Sequence, residues 1–318
     1  MFRSRPKEPV NGTADEKLAS DVQSEPTTGI PIFTPPQNYS PLGYPSLDEA
    51  QSDKLQALKD HINSVLLPDS DPYRQKETAF LTDKTYQRYL RARKFDLEAA
   101  KKQLEGTLKW RRSYRPDEID PEAIKIEQSC GKMYFNGFDK NGRPLCYMKP
   151  RYENSKDADR QIKNIVFSLE LAAALVPEDV HTMDIIVDFR DAGSGDTPGV
   201  GMAKQFIDIL GNHYPERLGV AFLVHTPWFF WTTFKLVSPF IDPVTRAKVK
   251  FVDLKEPKDG KANKNPDWVQ LTDFVDKEQL ESDFGGGMDT SFYSFFMFRL
   301  RWFVSDGLIF RCCLEMEF

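Results

Sequence analysis

HYPERLGVAFLVHTPWFFWTTFKLVSPFIDPVTRAKV, residues 213–249, is the stretch on which the fold turns. Arg217 and Lys235 bracket seventeen residues without a formal charge, a run that invites a membrane span. A span needs about 20 apolar residues, and Thr226-Pro227 interrupts this run near its middle. The residue before a proline is pushed toward extended geometry. The run therefore divides into a strand, Gly219 to Val224, and a helix opening at Pro227, where the missing N–H costs nothing. That helix carries Trp228, Phe229, Phe230, Trp231, Phe234, Leu236, Val237 and Phe240. Its opening aromatics are consecutive and cannot share one helix face, so some rings point away from the core. Either the helix is sandwiched between two protein layers, or it covers an apolar ligand on one side and meets a bilayer on the other. Trp is favoured at such a boundary.

Asp242 and Pro243 follow as an N-cap and a first helical residue, so a second short helix starts there. Thr245 and Lys248 then lie three apart on one side of it. The pattern fits plain capping with a solvated lysine. It also fits a phosphate seat, since a helix start supplies free N–H groups and a positive dipole end.

Working outward, Met183 to Phe189 and Val249 to Val252 read as buried strands, rich in β-branched and apolar residues. Lys132 to Phe138 and Arg143 to Lys149 read as two strands joined through Asp139-Lys140-Asn141-Gly142, a strong hairpin signal. Asp159 to Val176 and Val200 to Tyr214 carry helical spacing. Alternation of this kind predicts an α/β fold, a mostly parallel sheet with helical covers. Upstream, Leu47 to Leu67 has helical spacing ended by Pro68, and Thr82-Asp83 opens a helical pair containing YLRARKFD, residues 89–96. Residues 1–50 are rich in Pro, Ser, Thr and Glu and are expected to be a disordered leader. The expected organisation is a helical unit over 51–120, a main domain over 125–287 and an atypical tail over 288–318, whose arginines break it too often to span a bilayer.

The net charge of -5 argues against a nucleic-acid partner. The four cysteines, Cys130, Cys146, Cys312 and Cys313, form no C-x-x-C pair, which suits a reducing cytosol. No cofactor or enzyme signature is complete. Gly199-Val200-Gly201 lacks the third glycine of a dinucleotide loop, Ala192-Gly193-Ser194-Gly195 lacks the spacing of a nucleophile elbow, and His213 and His225 have no companions for a metal set.

HYPERLG, the strand ending in a Thr-Pro-aromatic step, the aromatic helix and PFIDPVTRAK, in that order and with YLRARKFD upstream, resemble the CRAL-TRIO lipid-binding family, specifically its fungal phosphatidylinositol transfer branch. The resemblance implies a helical N-terminal subdomain and a sheet domain enclosing a lipid cavity. It implies phosphatidylinositol as the bound ligand, carried without a cofactor by a monomer that touches membranes transiently from the cytoplasm. It implies that Arg93 and Lys94 approach the inositol phosphate, that Glu216 pairs with Lys248, and that Arg217 contacts phosphate, with Thr245 completing the headgroup set. Trp228, Phe229, Phe230, Trp231, Phe234, Val237 and Phe240 become a gate, hinged at Thr226-Pro227 and Ser238-Pro239. Val220 stands where the family often has lysine, and Asp191 to Pro198 lacks the Ser/Thr pattern used for phosphatidylcholine. A sterol or another apolar second ligand is left open, as are two other classes, a lipid-sensing scaffold and a lipid esterase.

Overall fold

The computed structural model describes residues 31–193, 200–227, 230, 243–252, 254 and 268–288, together with the backbone of 303–305 and 308–310. The helical unit comprises α1 (Glu49–Ser64), α2 (Arg74–Phe80), α3 (Asp83–Ala92) and α4 (Leu97–Tyr114). The starts of α1, α3 and α4 are set by side-chain caps: Asp48 accepts from the Gln51 N–H, Thr82 from Thr85 and Asp96 from Ala99, each cap contributing about 1 kcal/mol. Their apolar faces meet around Leu58, Ile62, Tyr89, Leu90, Leu104 and Leu108, all essentially inaccessible. Pro116 to Pro121, whose composition reads as a linker of turn residues, forms short 3-10 turns at Pro116–Glu118 and Pro121–Ile124 that lead into α5 (Lys125–Gln128). The Tyr73 hydroxyl donates to Asp117 at 2.5 Å and ties the first turn down.

The main domain is a six-stranded sheet whose strands lie in sequence order: β1 (Met133–Phe138), β2 (Pro144–Met148), β3 (Met183–Asp188), β4 (Leu218–Val224), β5 (Val249–Val252) and β6 (Trp268–Val269). The β1–β2 pair is antiparallel across the expected hairpin, and every later pair is parallel. The crossovers between β2 and β4 run through α6 (Ala158–Leu175) and α7 (Val200–His213). Right-handed crossovers that always step the same way along a sheet place their helices on one face. Accordingly α6 and α7 pack with Phe135, Cys146 and Met183. The opposite face, with Leu145, Tyr147, Ile186 and Phe222, is closed by Leu271, Val275, Leu280 and Phe284.

Three of those last residues lie between Val275 and Phe284, which by the family resemblance would be a closing helix before Gly285-Gly286-Gly287, and the structure corrects this. The segment runs instead through separate 3-10 turns, Leu271–Asp273, Lys277–Gln279 and Ser282–Phe284, with Val275 and Leu280 in the bends that follow the first two. The apolar residues drop onto the sheet from these turns and bends, and the buried Glu281 between Leu280 and Phe284 is held by the Tyr134 hydroxyl at 2.8 Å and by Lys149 at 3.2 Å. Gly137 (φ 72) lets this segment approach, because a Cβ there would lie 2.1 Å from the Gln279 carbonyl oxygen.

A second correction concerns the leader. Residues 31–48 are not a free tail but a strap laid along the domain. Ile32 donates to Asn136 Oδ1 at 3.1 Å and Gly137 donates back to the Ile32 carbonyl at 3.0 Å. Ser40 donates to Lys140 O at 2.9 Å, and the Tyr39 hydroxyl donates to Asp179 at 2.7 Å. Composition underweighted a few well-placed aromatics and backbone groups that edge pairing can satisfy. The tail contains a short antiparallel pair, β7 (Phe303–Ser305) with β8 (Leu308–Phe310). One further short helix, α8 (Pro243–Ala247), precedes β5.

Candidate functional site

The sheet face beneath α6 and α7 is incompletely filled. Ile185 and Val187 lie on β3, in the interior of the sheet, yet both are half-buried, and so are Ala221 on β4 and Met148 on β2. Strand registry puts them in two neighbouring rows on one face: Cys146, Ile185, Ala221 and Val249 in one, Met148, Val187, Leu223 and Phe251 in the next. On the other face Leu145, Tyr147, Ile186 and Phe222 are each 0% exposed. Interior strands normally bury both faces to crystal-like density. Partly accessible apolar residues at the middle of a sheet are where an apolar ligand would lie.

One end of this sheet carries the charged residues singled out from the sequence. Glu216 sits in the turn between α7 and β4 with φ 55, a left-handed geometry rare for a non-glycine residue. Its carboxylate lies 3.7 Å from Lys248, which follows α8. Thr245 is exposed on α8, and its carbonyl accepts from the Lys248 N–H at 3.1 Å. Since α8 is a single turn, a helix dipole can contribute little to an anion here. On the helical side, Arg93 caps α3 and Lys94 begins the corner to α4. Lys94 and Phe95 both have left-handed backbone (φ 51 and 60), at about 1–2 kcal/mol each. The corner is held by the Phe95 N–H on the Leu90 carbonyl at 2.7 Å and by Lys54 Nζ on the Phe95 carbonyl at 2.9 Å. Lys94 is thereby kept exposed, and the Arg93 guanidinium reaches back to the Ala92 carbonyl at 3.5 Å.

Arg217 points inward. Its guanidinium donates to the His181 carbonyl at 3.4 Å, and burial, followed by the neighbouring Arg88, pushes its pKa down to about 9. Arg88 is 1% exposed and donates to the Pro215 carbonyl at 3.0 Å, so α3 is stapled to the turn that carries Glu216 and Arg217. Beside it, Arg111 makes a bidentate contact to Glu170 at 2.8 and 2.9 Å, and the Tyr214 hydroxyl donates to the same carboxylate at 2.7 Å. Burial opposes ionisation of Glu170, but Arg111 outweighs it and holds the pKa below the usual carboxylate range. Sequence reasoning missed Arg88, Arg91, Tyr44 and His181. Arg88, immediately before the quoted YLRARKFD block, and Arg91 within it, three apart on one helix face, were the signal available.

Of the residues expected to form a gate, Phe230 is described: its ring lies 4.9 Å from Phe189 and its N–H donates to the Pro227 carbonyl at 3.0 Å. Trp228, Phe229, Trp231, Phe234, Val237 and Phe240 lie outside the described residues. Among the described residues no helix is long and apolar enough to cross a membrane.

A helical unit stapled to a six-stranded mixed sheet with its crossover helices on one face defines the class, an α/β protein with a helical N-terminal part. Family models place the chain: the CRAL/TRIO domain matches residues 128–286 and the CRAL/TRIO N-terminal domain residues 54–106. The chain belongs to the CRAL-TRIO lipid-binding family. A CRAL-TRIO domain-containing protein of Schizosaccharomyces pombe is 40% identical over 217 residues, 68% of this chain, which spans 20% of that relative's length. The phosphatidylinositol transfer protein PDR17 of Saccharomyces cerevisiae is 32% identical over 248 residues, covering 69% of this chain and 71% of the relative. The crystal structure of Sfh5 shares the fold with a TM-score of 0.51 at 18% identity, over 65% of this chain and 82% of that one.

Proposed function

We propose that this protein binds phosphatidylinositol, with its acyl chains in the hollow over Ile185, Val187 and Ala221 and its phosphate among Arg93, Lys94, Arg217, Thr245 and Lys248, and exchanges it between membranes. The observation that carries the reading is the contrast between the sheet's two faces, one solidly packed and one half-open at its centre. Moving acyl chains through water is prohibitive at about 0.8 kcal/mol per exposed CH₂, and a protein hollow removes that barrier. The Glu216–Lys248 pair at 3.7 Å keeps the ammonium positioned near the turn while leaving donors for a phosphodiester, which must regain its lost hydration from charge-assisted hydrogen bonds. Residues Trp228 to Phe240 act as the gate, opening when their rings dock on a bilayer. The protein works as a monomer, cytoplasmic and peripherally attached. The named relative PDR17, a phosphatidylinositol transfer protein, supports this cargo and a carrier rather than an enzyme.

Mass spectrometry of lipid co-purifying with the native chain, followed by transfer assays between vesicles, tests the reading. Phosphatidylinositol in the hollow and its movement to acceptor vesicles are expected. A sterol recovered alongside it identifies a second cargo. Retention without transfer would establish a lipid-sensing scaffold instead, and hydrolysis products without acceptor membranes would establish an esterase. Thr245→Ala with Lys248→Ala should weaken inositol-lipid transfer more than choline-lipid transfer; equal loss of both would count against a headgroup role.

A further inference from the structure

The junction between α3 and the entry to β4 holds more positive charge than its carboxylates balance. His181 is lowered to about 4 by burial and then by Lys84, Arg217, Arg91 and Arg88, so four cations converge on it. Of the nearby acids, Glu170 is engaged by Arg111 and Glu216 by Lys248, while Glu178 and Asp179 face Lys84, so among the described residues no salt bridge reaches Arg88, Arg91 or Arg217. Five buried side-chain polar atoms at this junction have no hydrogen-bond partner among the described residues: Tyr44 Oη, Arg88 Nε, Arg91 Nε, His181 Nδ1 and Arg217 Nε. Native proteins satisfy nearly all such atoms, so a cluster of them calls for a cause. All five can donate: the guanidinium nitrogens are obligate donors, the phenol donates, and His181 Nδ1 donates in one tautomer. An acceptor-only guest that displaced the Tyr44 ring would meet the other four donors, on Arg88, Arg91, His181 and Arg217. A phosphate group is the compact guest whose geometry matches guanidinium forks.

The strap covers the place where such a guest would sit. The Tyr44 ring stacks on His181 at 4.0 Å with an interplanar angle of 11°, and the Arg91 guanidinium lies 4.3 Å above the same ring. Upstream, Tyr39 and Ser40 are firmly anchored, whereas between Pro41 and Leu47 the bond to the domain is Arg91 on the Pro45 carbonyl at 2.9 Å, and Leu42 is 63% exposed. The segment runs between two fixed points, Ser40 and the Asp48 cap of α1.

We propose that this junction is a second anion seat, taking a phosphomonoester group on Arg88, Arg91, Arg217 and His181, and that Tyr44 is its removable cover. The seat shares only Arg217 with the headgroup residues named above and does not depend on lipid exchange. Two probes distinguish a soluble from a membrane source of the phosphate: inorganic phosphate, followed by calorimetry and by ³¹P line broadening against chloride at matched ionic strength, and phosphatidylcholine vesicles with or without phosphatidic acid. In the full chain Tyr44→Ala should tighten binding of at least one probe roughly tenfold, about 1.4 kcal/mol, and adding Arg91→Gln should cancel the gain. Tyr44→Phe keeps the ring and should bind as the native chain does. Tighter binding of inorganic phosphate identifies a soluble ligand; tighter binding of phosphatidic acid vesicles alone identifies a lipid one. Tyr44→Ala without effect on either probe overturns the proposal. Should that variant not fold, Arg91→Gln in the native chain decides: phosphate should raise the native melting temperature and lose that effect in the variant, and an unchanged effect overturns the seat. Transfer of phosphatidylinositol, followed in parallel, reports on the exchange reading separately.

Discussion

Val187 and Ile186 are adjacent on β3 and face opposite sides of the sheet, one half-buried and the other 0% exposed. Enlarging each to phenylalanine adds similar bulk in two different environments. On the packed face, Ile186→Phe must push into Leu145, Tyr147 and Phe222, and overpacking of that kind costs about 1–3 kcal/mol. On the open face, Val187→Phe extends into the hollow, and stability should change by no more than about 0.5 kcal/mol. The ring instead takes space from an acyl chain. Its added carbons displace about three methylenes, which at about 0.8 kcal/mol each is about 2.4 kcal/mol of burial. At about 1.4 kcal/mol per decade, lipid affinity should fall about 50-fold. Urea denaturation of lipid-free protein gives the first quantity, and equilibrium loading of a fluorescent phosphatidylinositol gives the second. Equal destabilisation by the two substitutions would refute the inference that this face is hollow, and unchanged loading by Val187→Phe would remove the acyl chains from it.

Other consequences are open to direct measurement. Tyr214→Phe deletes a 2.7 Å hydrogen bond to the ionised Glu170 and should cost about 1.5–3 kcal/mol in urea denaturation; a neutral result would mean that Arg111 alone satisfies the carboxylate. Gly137→Ala places a methyl 2.1 Å from the Gln279 carbonyl oxygen at φ 72 and should cost more than the about 1–2 kcal/mol of left-handed strain alone. His181 and His213 are both lowered from 6.5 to about 4, chiefly by burial. Between those values the unfolded chain holds protons that the folded chain refuses, so their contribution is complete above about 6.5 and is lost as pH falls toward about 4. The melting temperature should therefore drop across that interval, less steeply in His213→Gln; a flat profile would show that neither ring is buried neutral.

What the sequence determined by itself is everything that depends on near neighbours in the chain. Thr226-Pro227 ended β4, Asn141-Gly142 turned the β1–β2 hairpin, and Asp48, Thr82 and Asp96 started their helices, because caps and turns are settled within a few residues. The order and spacing of HYPERLG and PFIDPVTRAK carried the family. The approach of Glu216 to Lys248 was expected from that resemblance alone, since thirty-one positions of chain lie between them. The tertiary structure decided the rest. Ile185 and Val187 read as core residues in any strand pattern, and only the one-sided packing of α6 and α7 shows that their face is left open. The 3-10 path of Val275 to Phe284 was set by the sheet onto which it folds, not by its own periodicity. Tyr44, Arg88, His181 and Arg217 come from four separate elements, and no spacing rule relates them. Burial and uncompensated charge exist only once those elements meet, so the donor cluster beneath Tyr44 could be found only in the folded chain.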